Sequence, residues 1–174
     1  MMIDLLREAL SYDPESGALN WKKRPVEHFS NERISKIWNS KYSGKPALTS
    51  INSSGYKAGK LFDKTVMAHR IIWALVNGEW PEEIDHINGN CTDNRMVNLR
   101  AATRLINMRN LKRLPSNTSG VSGVRWRKRE NIWEASIRTG DGRIQKFFKT
   151  REEAVVFRKA KEVEYSYHPN HGRP

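Results

Sequence analysis

Hydrophobic and polar positions in the first part of the chain predict several short elements. Apolar residues at rough helical spacing predict a helix over residues 3–10, and the turn-forming residues 13–17 end it. Alternating apolar and polar positions over residues 18–22 are typical of a short strand. Residues 23–45 are basic and polar, with Trp38 as the only large apolar anchor, so we predict a loop there.

The next segment has the pattern of a strand pair followed by a helix. Two strands are predicted over residues 45–52 and 56–62, joined by the turn-forming run Ser53-Ser54-Gly55. Dense apolar positions predict a helix over residues 68–76. Gly78 and Pro81 are expected to end that helix.

Residues after Pro81 predict a hairpin that leads into another helix. Residues 83–86 form an extended arm, residues 88–90 a tight turn and residues 98–101 a returning arm. Thr103 has the residue type of an N-cap for the helix that follows. The resulting order is strand, strand, helix.

The last third of the chain predicts a compact second unit. Three strands are expected over residues 123–127, 133–138 and 143–148, and the run Thr150 to Glu153 has the pattern of a capping box that opens a helix. The expected inner stripe of that helix consists of Ala154, Phe157, Ala160 and Val163. Trp126 and Trp133 have opposite parity relative to the turn between their strands, and we predict that Trp133 is the core residue of the two.

Size and charge narrow the function classes. A chain of 174 residues can hold one domain or two small ones. Its formal net charge of +12 favours a polyanionic partner, with nucleic acid first and an acidic membrane surface second. No apolar run approaches the roughly 18 residues of a membrane span, and residues 1–10 lack the pattern of a signal peptide. A soluble, cytoplasmic protein with no membrane partner is therefore expected.

The single cysteine, Cys91, excludes an intramolecular disulfide within this sequence and a Cys-rich zinc site. It lies in a polar, turn-like stretch, where an incidental placement is expected. The hairpin after Asp85 is therefore predicted to hold together without structural zinc.

An acid, a histidine and two asparagines in the hairpin region carry the candidate chemistry. Asp85 and His86 are adjacent, and Asn98 and Asn107 follow at set distances. Carboxylate and amide oxygens are hard ligands of the kind that Mg²⁺ or Mn²⁺ prefers. A histidine beside them can accept a proton from water near neutral pH. In so basic a chain, the expected electrophile is a phosphodiester of nucleic acid.

Residues 67–107 resemble the H-N-H nuclease family in its phage and intron-associated homing-endonuclease branch. The residues that carry the resemblance are Ala68-His69-Arg70, Asp85-His86-Ile87-Asn88-Gly89-Asn90, Asp93-Asn94, Asn98-Leu99-Arg100 and Asn107. Asn107 stands where many relatives have a second histidine, so the chain resembles the H-N-N variant. An amide oxygen at that position suits Mg²⁺ or Mn²⁺ better than zinc.

The resemblance implies a catalytic set of four residues with one divalent ion per active site. Asp85 and Asn107 would hold the ion, and His86 would act as the general base. Asn98 would tie the two arms together and fix His86. His69 is expected to have a packing role, and the remaining polar residues of the turn are expected to serve turn geometry: Asn88, Asn90, Asp93 and Asn94.

Residues 120–165 resemble the DNA-binding domain of the plant apetala/ethylene-response-factor type, a three-stranded sheet on one helix. The residues that carry the resemblance are Gly123-Val124-Arg125, Arg127, Trp133, Ala135, Ile137-Arg138, Phe147-Phe148, Thr150 and Glu152-Glu153-Ala154. The chain departs from that pattern by one extra residue between Arg127 and Trp133 and by Ser136 in place of an acid. By position, the resemblance implies DNA contacts by Arg125, Arg127, Arg138 and Lys146.

A one-sided run of cations links the two resemblances. No acid lies between Arg104 and Arg129. We interpret this run as a phosphate track, in which each neutralised phosphate adds about −0.9 to the salt slope on duplex DNA. Its members are Arg104, Arg109, Lys112, Arg113, Arg125, Arg127, Lys128 and Arg129.

The expected fold class is α+β, with an N-terminal ββα-metal nuclease domain and a small three-stranded antiparallel sheet packed on one helix. The expected divisions are an N-terminal α+β region, a nuclease core, a linker, a DNA-binding domain and a tail, at residues 1–66, 67–114, 115–120, 121–168 and 169–174.

The function expected from the two resemblances is a metal-dependent endonuclease of the free-standing homing type. It would nick or cleave double-stranded DNA at chosen sites, as a monomer or weak dimer, in a bacterial or phage-infected cell. Two alternatives stay open at this point: a DNA-binding regulator with an inactive nuclease part, and a nuclease that acts on RNA or branched DNA.

Overall fold

The computed structural model describes residues 2–174, and a boundary between two compact units falls between Ala102 and Thr103. The first unit contains three α-helices and eight short strands. In chain order these are α1 (Ile3–Ala9), β1 (Leu10–Asp13), β2 (Ala18–Trp21), α2 (Glu32–Tyr42), β3 (Pro46–Ala47), β4 (Ser50–Ile51), β5 (Lys57–Leu61), β6 (Lys64–Met67), α3 (Ala68–Asn77), β7 (Glu83–His86) and β8 (Leu99–Ala102). Single 3₁₀ turns lie at Val26–His28 and Met96–Asn98.

The strands of the first unit form small antiparallel sheets around one apolar core. Their orders are β1-β2-β3, β4-β5-β6 and β7-β8. The core includes side chains from α1, β5 and α3 that are almost fully buried, among them Leu6, Leu61, Ile71 and Ile72. Helix α3 ends at Gly78, whose φ of 73° allows its N–H to bond to the carbonyl of Ala74. The predicted helix and its stop are thereby confirmed.

The prediction of a loop over residues 23–45 is wrong, because α2 lies within it. Asn31 caps this helix by accepting a hydrogen bond of 2.9 Å from the N–H of Ile34. The helical spacing of Ile34, Ile37, Trp38 and Tyr42 was a usable signal for this helix, although Ile34 and Ile37 remain exposed in the fold. Trp38 instead packs edge-on against Trp21, which lies far away in sequence.

The single strand predicted over residues 45–52 is two strands in different sheets. Strand β3 pairs with β2, whereas β4 pairs with β5. Leu48 between them has a φ of 53°, in the left-handed region, and this turns the chain from one sheet to the other.

The second unit is a three-stranded antiparallel sheet with one long helix, preceded by a short helix. Its elements are α4 (Arg104–Met108), β9 (Val124–Arg127), β10 (Ile132–Arg138), β11 (Arg143–Phe148) and α5 (Arg151–Glu164). Strand β10 lies in the middle. Val124, Ala135 and Ala154 form the centre of its core. The predicted caps are confirmed, since Thr103 caps α4 and Thr150 forms a capping box with Glu153.

The predicted inner stripe of α5 is only partly correct. Ala154 is fully buried, but Ala160 is exposed and Val163 is 83% exposed. The buried positions continue from Ala154 at intervals of four, through Arg158 and Glu162, which form an ion pair of 2.9 Å. Arg158 also donates to the carbonyl of Ser136 at 2.6 Å, so a buried polar network takes the place of the expected apolar residues.

The two tryptophans of the sheet share one face, which corrects the expected opposite parity, while the prediction that Trp133 is the core residue of the two is confirmed. The register pairs Trp126 directly with Trp133, and their ring centroids lie 5.2 Å apart. Trp133 packs against the core of the unit, whereas Trp126 is 40% exposed. Directly paired residues of an antiparallel sheet lie on the same side, so both rings belong to the face that α5 covers.

The segment expected to be a linker is well bonded within the second unit. The hydroxyl of Ser119 donates to the carbonyl of Val124 at 2.6 Å, and Arg151 donates to the carbonyl of Ser119. The C-terminal residues also pack within this unit, where the N–H of Gly172 bonds to the carbonyl of Leu111.

Within residues 2–174, no helix combines the length and the apolar character that a membrane span requires.

Candidate active site

Asp85 and His86 lie on β7, the first arm of the β7–β8 hairpin, and Asn98 directly precedes β8. The register pairs Asp85 with Arg100 and His86 with Leu99. Asp85, His86 and Asn98 are 8%, 4% and 5% exposed. Three polar side chains are therefore buried within one short hairpin, where each needs a partner.

Asn98 ties the two arms of the hairpin together. Its Oδ1 accepts from the N–H of Asn88 at 2.8 Å, and its Nδ2 donates to the carbonyl of Asp93 at 2.8 Å. Its own carbonyl accepts from the N–H of Ile87. These bonds close the loop.

The imidazole of His86 is held by Asn94, a residue that the sequence assigned to turn geometry. The distance from Nε2 of His86 to Oδ1 of Asn94 is 3.0 Å. Asn94 is only 1% exposed, so its side chain has little freedom to move. When Oδ1 of Asn94 accepts the Nε2 proton, the neutral ring carries its lone pair on Nδ1. The expected role of fixing His86 therefore falls to Asn94, while Asn98 fixes the loop.

Electrostatics favour a neutral His86. Burial lowers its pKa, and the hydrogen bond with Asn94 and the charge of Asp85 offset part of that effect. A neutral imidazole is the form that can take a proton from water. The hairpin thus presents a proton acceptor next to a carboxylate.

Tyr56 and His69 surround His86 with two further rings. The ring centroids of His69 and Tyr56 lie 5.1 and 5.7 Å from that of His86. Burial, together with His86 and Arg70, lowers the pKa of His69 to about 3. Burial and a hydrogen bond with Cys91 raise the pKa of Tyr56 to about 12. Neither ring is suited to act as a base near neutral pH, which leaves His86 as the best proton acceptor of the cluster.

The carboxylate of Asp85 is bonded to a neighbouring arginine. Nε and Nη2 of Arg100 donate to Oδ2 of Asp85 at 2.9 and 2.6 Å. The Arg100 side chain is 35% exposed, whereas that of Asp85 is 9% exposed. An ion at Asp85 would share this carboxylate with the guanidinium or displace it.

The second expected ligand, Asn107, lies on α4, which is part of the second unit. Among the residues described, 2–174, no group of three or more histidine, cysteine or acidic side chains could hold a metal. The expected metal site has only two protein donors, the carboxylate of Asp85 and the amide of Asn107, so it is smaller than a group of three. Mg²⁺ commonly keeps several waters and binds through one or two protein oxygens. A set of two protein donors is therefore chemically suitable for it.

The expected DNA-contact residues of the second unit divide into two groups. Arg104, Lys112, Lys128, Arg129 and Arg138 are exposed, and none of them takes part in an ion pair with the residues described. The other expected DNA-contact residues also interact with groups inside the protein. Arg113 donates to the carbonyl of Gly120, and the guanidinium of Arg109 lies 5.6 Å from the Tyr167 ring centroid.

Three arginines converge on Glu134 on the face of the sheet that α5 leaves open. Arg125, Arg127 and Arg143 donate to its carboxylate at 2.8–3.0 Å, and Glu134 is 0% exposed. Burial raises the pKa of Glu134, but the hydrogen bonds from Arg125 and Arg127 outweigh it, so the pKa lies below its ordinary value. The three guanidinium groups are thus held in fixed positions around one carboxylate.

Lys146 lies on the opposite face from these arginines. It is paired with the buried Ala135, and its ammonium lies 5.6 Å from the ring centroids of Phe148 and Phe157. A DNA surface that includes Arg125 and Arg127 on the open face would therefore not include Lys146.

The N-terminal hairpin β1–β2 braces the loop that carries Asn94. The N–H of Met96 donates to the Tyr12 hydroxyl at 2.9 Å, and that hydroxyl donates to the carbonyl of Asn94 at 3.3 Å. Gly17, with a φ of 69°, lies so close that a Cβ there would come within 2.6 Å of the N atom of Arg95. The first strands thus fix the residue that orients His86.

Gly17→Ala is expected to destabilise the first unit by about 2–4 kcal/mol, because it adds a steric clash to an unfavourable φ. Gly55→Ala is the matched control, since Gly55 also has a positive φ but has nothing within 4 Å of an added Cβ. We expect the control to cost only about 1–2 kcal/mol. Urea unfolding of both variants tests this, and equal losses would contradict the proposed close approach.

Asn94→Ala is expected to lower the rate of the phosphodiester cleavage that the sequence predicts by about 10–100-fold, because the imidazole of His86 loses the group that orients it. Asn94→Asp keeps an acceptor for the Nε2 proton and should retain most of the activity that Asn94→Ala loses. Asn90→Ala, in the same loop, is the control. The rates would be compared on plasmid DNA, and equal losses in Asn94→Ala and Asn94→Asp would contradict the orienting role.

The hairpin with its buried acid and histidine, followed by a helix, is the arrangement of a class of nucleases, and comparison with known proteins assigns the chain to that class. Residues 66–109 match the model of the HNH endonuclease family. The chain is also similar to Protein 3.8 of Escherichia phage T7, with 37% identity over 93 residues, which cover 52% of this chain and 76% of that protein. The chain therefore belongs to the family of this phage protein and contains an HNH endonuclease domain. No solved structure matches it significantly.

The comparison corrects one expectation about domain order. The matched residues 66–109 lie in the middle of the chain, so the nuclease domain is not N-terminal. The preceding residues are part of the same compact unit, and Tyr12 and Gly17 contact the motif loop directly.

Proposed function

We propose that the chain is a divalent-metal-dependent endonuclease that cuts double-stranded DNA at chosen sites, of the free-standing homing type. The observation that carries the proposal is the buried pair Asp85 and His86, with the imidazole oriented by Asn94 at 3.0 Å. A histidine restrained in this way within an HNH domain is suited to activate water for phosphodiester hydrolysis.

In the proposed reaction His86 takes a proton from the attacking water. The water oxygen forms a bond to phosphorus as the bond to the 3′ oxygen breaks. The 3′ oxygen takes a proton from solvent water, which leaves a 5′-phosphate and a 3′-hydroxyl, and His86 later returns its proton to solvent. Asn94 keeps the ring of His86 in place by accepting its Nε2 proton, and Asn98 keeps the loop closed. Burial keeps the pKa of His86 below its ordinary value, so the base is neutral at the start of the cycle.

Asp85 and Asn107 are the proposed ligands of one Mg²⁺ or Mn²⁺. Asn107 is assigned by its place in the motif. When bound, the ion would neutralise charge on the phosphate and stabilise the leaving oxygen.

Duplex DNA is the proposed substrate because of the second unit. Its sheet carries Arg125, Arg127 and Arg143 on the open face, and Arg138 is exposed on the same strand as Glu134. We propose that this unit is a DNA-targeting domain of the apetala/ethylene-response-factor type. The likeness to a protein of phage T7 supports action in a phage-infected host cell.

The expected result of a plasmid assay is conversion of supercoiled DNA to the nicked form in the presence of Mg²⁺ or Mn²⁺ and complete loss of that conversion with EDTA. Addition of excess Mg²⁺ should restore it, because the ion is removed while the protein stays folded. Circular dichroism with and without EDTA would verify the fold. Cleavage that persists in EDTA would contradict metal dependence.

The alternative function is a DNA-binding regulator with an inactive nuclease part, and the bond between Arg100 and Asp85 favours it, because it occupies a proposed ligand oxygen. Arg100→Ala separates the two. If Arg100 blocks the site, the variant gains cleavage that the wild type lacks. If the wild type already cleaves, the regulator hypothesis fails. Competition between duplex DNA, branched DNA and RNA would decide the substrate class.

A further inference from the structure

The first unit contains a buried cation outside the nuclease hairpin. Arg24 is only 8% exposed. Its guanidinium carbon lies 4.6–4.7 Å from the ring centroids of Phe29, Trp38 and Phe62. Three aromatic faces therefore surround one positive charge, an arrangement in which cation–π attraction offsets part of the cost of burial.

No anion contacts this guanidinium directly. Its Nε and Nη2 donate to Nδ1 and the carbonyl oxygen of His28. Nε2 of His28 in turn lies 2.8 Å from the carboxylate of Glu8. None of the ion pairs formed by residues 2–174 involves Arg24, and Asp63 acts on it only at longer range. Buried charges are usually paired, so Arg24 has the character of an anion receptor.

Arg24 lines a cavity of about 640 Å³ beside α2. Aromatic rings form much of its wall, among them Trp21, Phe29, Trp38, Tyr42 and Phe62. The volume falls in the range of small-ligand sites, about 300–1,000 Å³. A wall of this kind suits a flat aromatic ligand.

The rim of the cavity is suited to a negative group on that ligand. Lys60 is exposed there, and Ser30 and Ile34 line the cavity at the N-terminal end of α2, the positive end of the helix dipole. Asp63 is the acid on the lining, and it lies exposed in the turn between β5 and β6. Its charge opposes an anion but is screened by solvent.

We propose that this cavity binds one unstacked nucleotide of a nucleic acid strand, with the base against the aromatic rings and its phosphate at Arg24 and Lys60. A base inside a duplex cannot enter such a site, so the nucleotide comes from a single-stranded or flipped-out segment. The proposal takes nucleic acid as the ligand from the proposed function, but it does not depend on cleavage.

The first test is photo-cross-linking of a short single-stranded oligonucleotide that carries 5-bromodeoxyuridine. It uses the full chain with His86→Ala, so that the strand is not cut. We expect adducts on peptides that contain Phe29, Trp38 or Tyr42. Free mononucleotide in excess should suppress these adducts, because it competes with the oligonucleotide for the cavity. Adducts confined to peptides outside the cavity would overturn the proposal.

The second test compares two exposed lysines of the same hairpin. Lys60→Gln should reduce the slope of the logarithm of affinity against that of salt concentration by about 0.7, since one phosphate contact is lost. Lys64→Gln is the matched control, because Lys64 does not line the cavity. Equal slopes for Lys60→Gln, Lys64→Gln and wild type would overturn the phosphate contact. Trp38→Leu should weaken binding about tenfold through lost stacking.

Failure of this proposal is distinguishable from failure of the proposed function. Plasmid cleavage by the wild type without cavity adducts would overturn only the nucleotide site. Cavity adducts without plasmid cleavage would support the nucleotide site and overturn only the endonuclease function.

Discussion

His86→Ala is expected to lower kcat for the proposed plasmid nicking by about 10²–10⁴-fold, the usual contribution of a general base. The physical reason is that no neighbouring ring can replace it. Burial and nearby positive charge lower the pKa of His69 to about 3, and burial raises that of Tyr56 to about 12. Rates measured at saturating plasmid and Mg²⁺ would isolate the chemical step.

The control for His86→Ala is His168→Ala in the second unit, which should cleave at the wild-type rate. Affinity for duplex DNA should be unchanged in His86→Ala, because His86 is only 4% exposed. A His86→Ala protein that cleaves as fast as wild type would exclude His86 as the base.

Glu134→Ala is expected to destabilise the second unit by about 2–4 kcal/mol. The substitution leaves Arg125, Arg127 and Arg143 facing each other around a position that is 0% exposed, without the carboxylate that holds them together. Hydrogen exchange of the amides in β9, β10 and β11 would measure the loss in this unit alone.

Glu130→Ala is the matched control for Glu134→Ala. Glu130 also pairs with Arg127, at 2.8 Å, but its side chain is 48% exposed, so its loss should cost no more than about 1 kcal/mol. Equal effects of the two substitutions would show that the convergence of arginines on Glu134 contributes little.

The stabilising effect of Glu134 also has a definite pH dependence. The pKa of Glu134 in the folded protein is below its ordinary value. Its contribution is therefore fully present above the unfolded pKa and is lost as the pH falls through the folded pKa. Acid unfolding of the second unit should lose this dependence in Glu134→Ala.

Local sequence patterns predicted the elements whose determinants lie close together in sequence. The capping box of Thr150 with Glu153 and the stop of α3 at Gly78 depend on residues within one or two helical turns. The hairpin that holds Asp85 and His86 was visible for the same reason, since its turn and both arms lie within 20 residues or so of each other.

The packing of the remaining features depends on partners that lie farther away in the sequence. Helix α2 is anchored where Trp38 meets Trp21, and α5 buries Arg158 because Glu162 and the carbonyl of Ser136 satisfy it. From the sequence, Asn94 was predicted to be a turn residue, whereas in the fold its side-chain amide bonds to His86. Its place beside Asp93 in the motif was the signal that could have indicated a role in the site.

Because Tyr12 and Gly17 contact the loop of Asn94, the HNH segment depends on residues that precede it in the chain. A fragment that begins at residue 66 would contain every residue of the family match but neither the hydroxyl that bonds to Met96 nor the backbone that supports Arg95. Grafting the HNH segment onto another protein would therefore require the β1–β2 hairpin as well. For protein engineering, the smallest transferable unit is the whole of residues 2–102, together with the helix that carries Asn107.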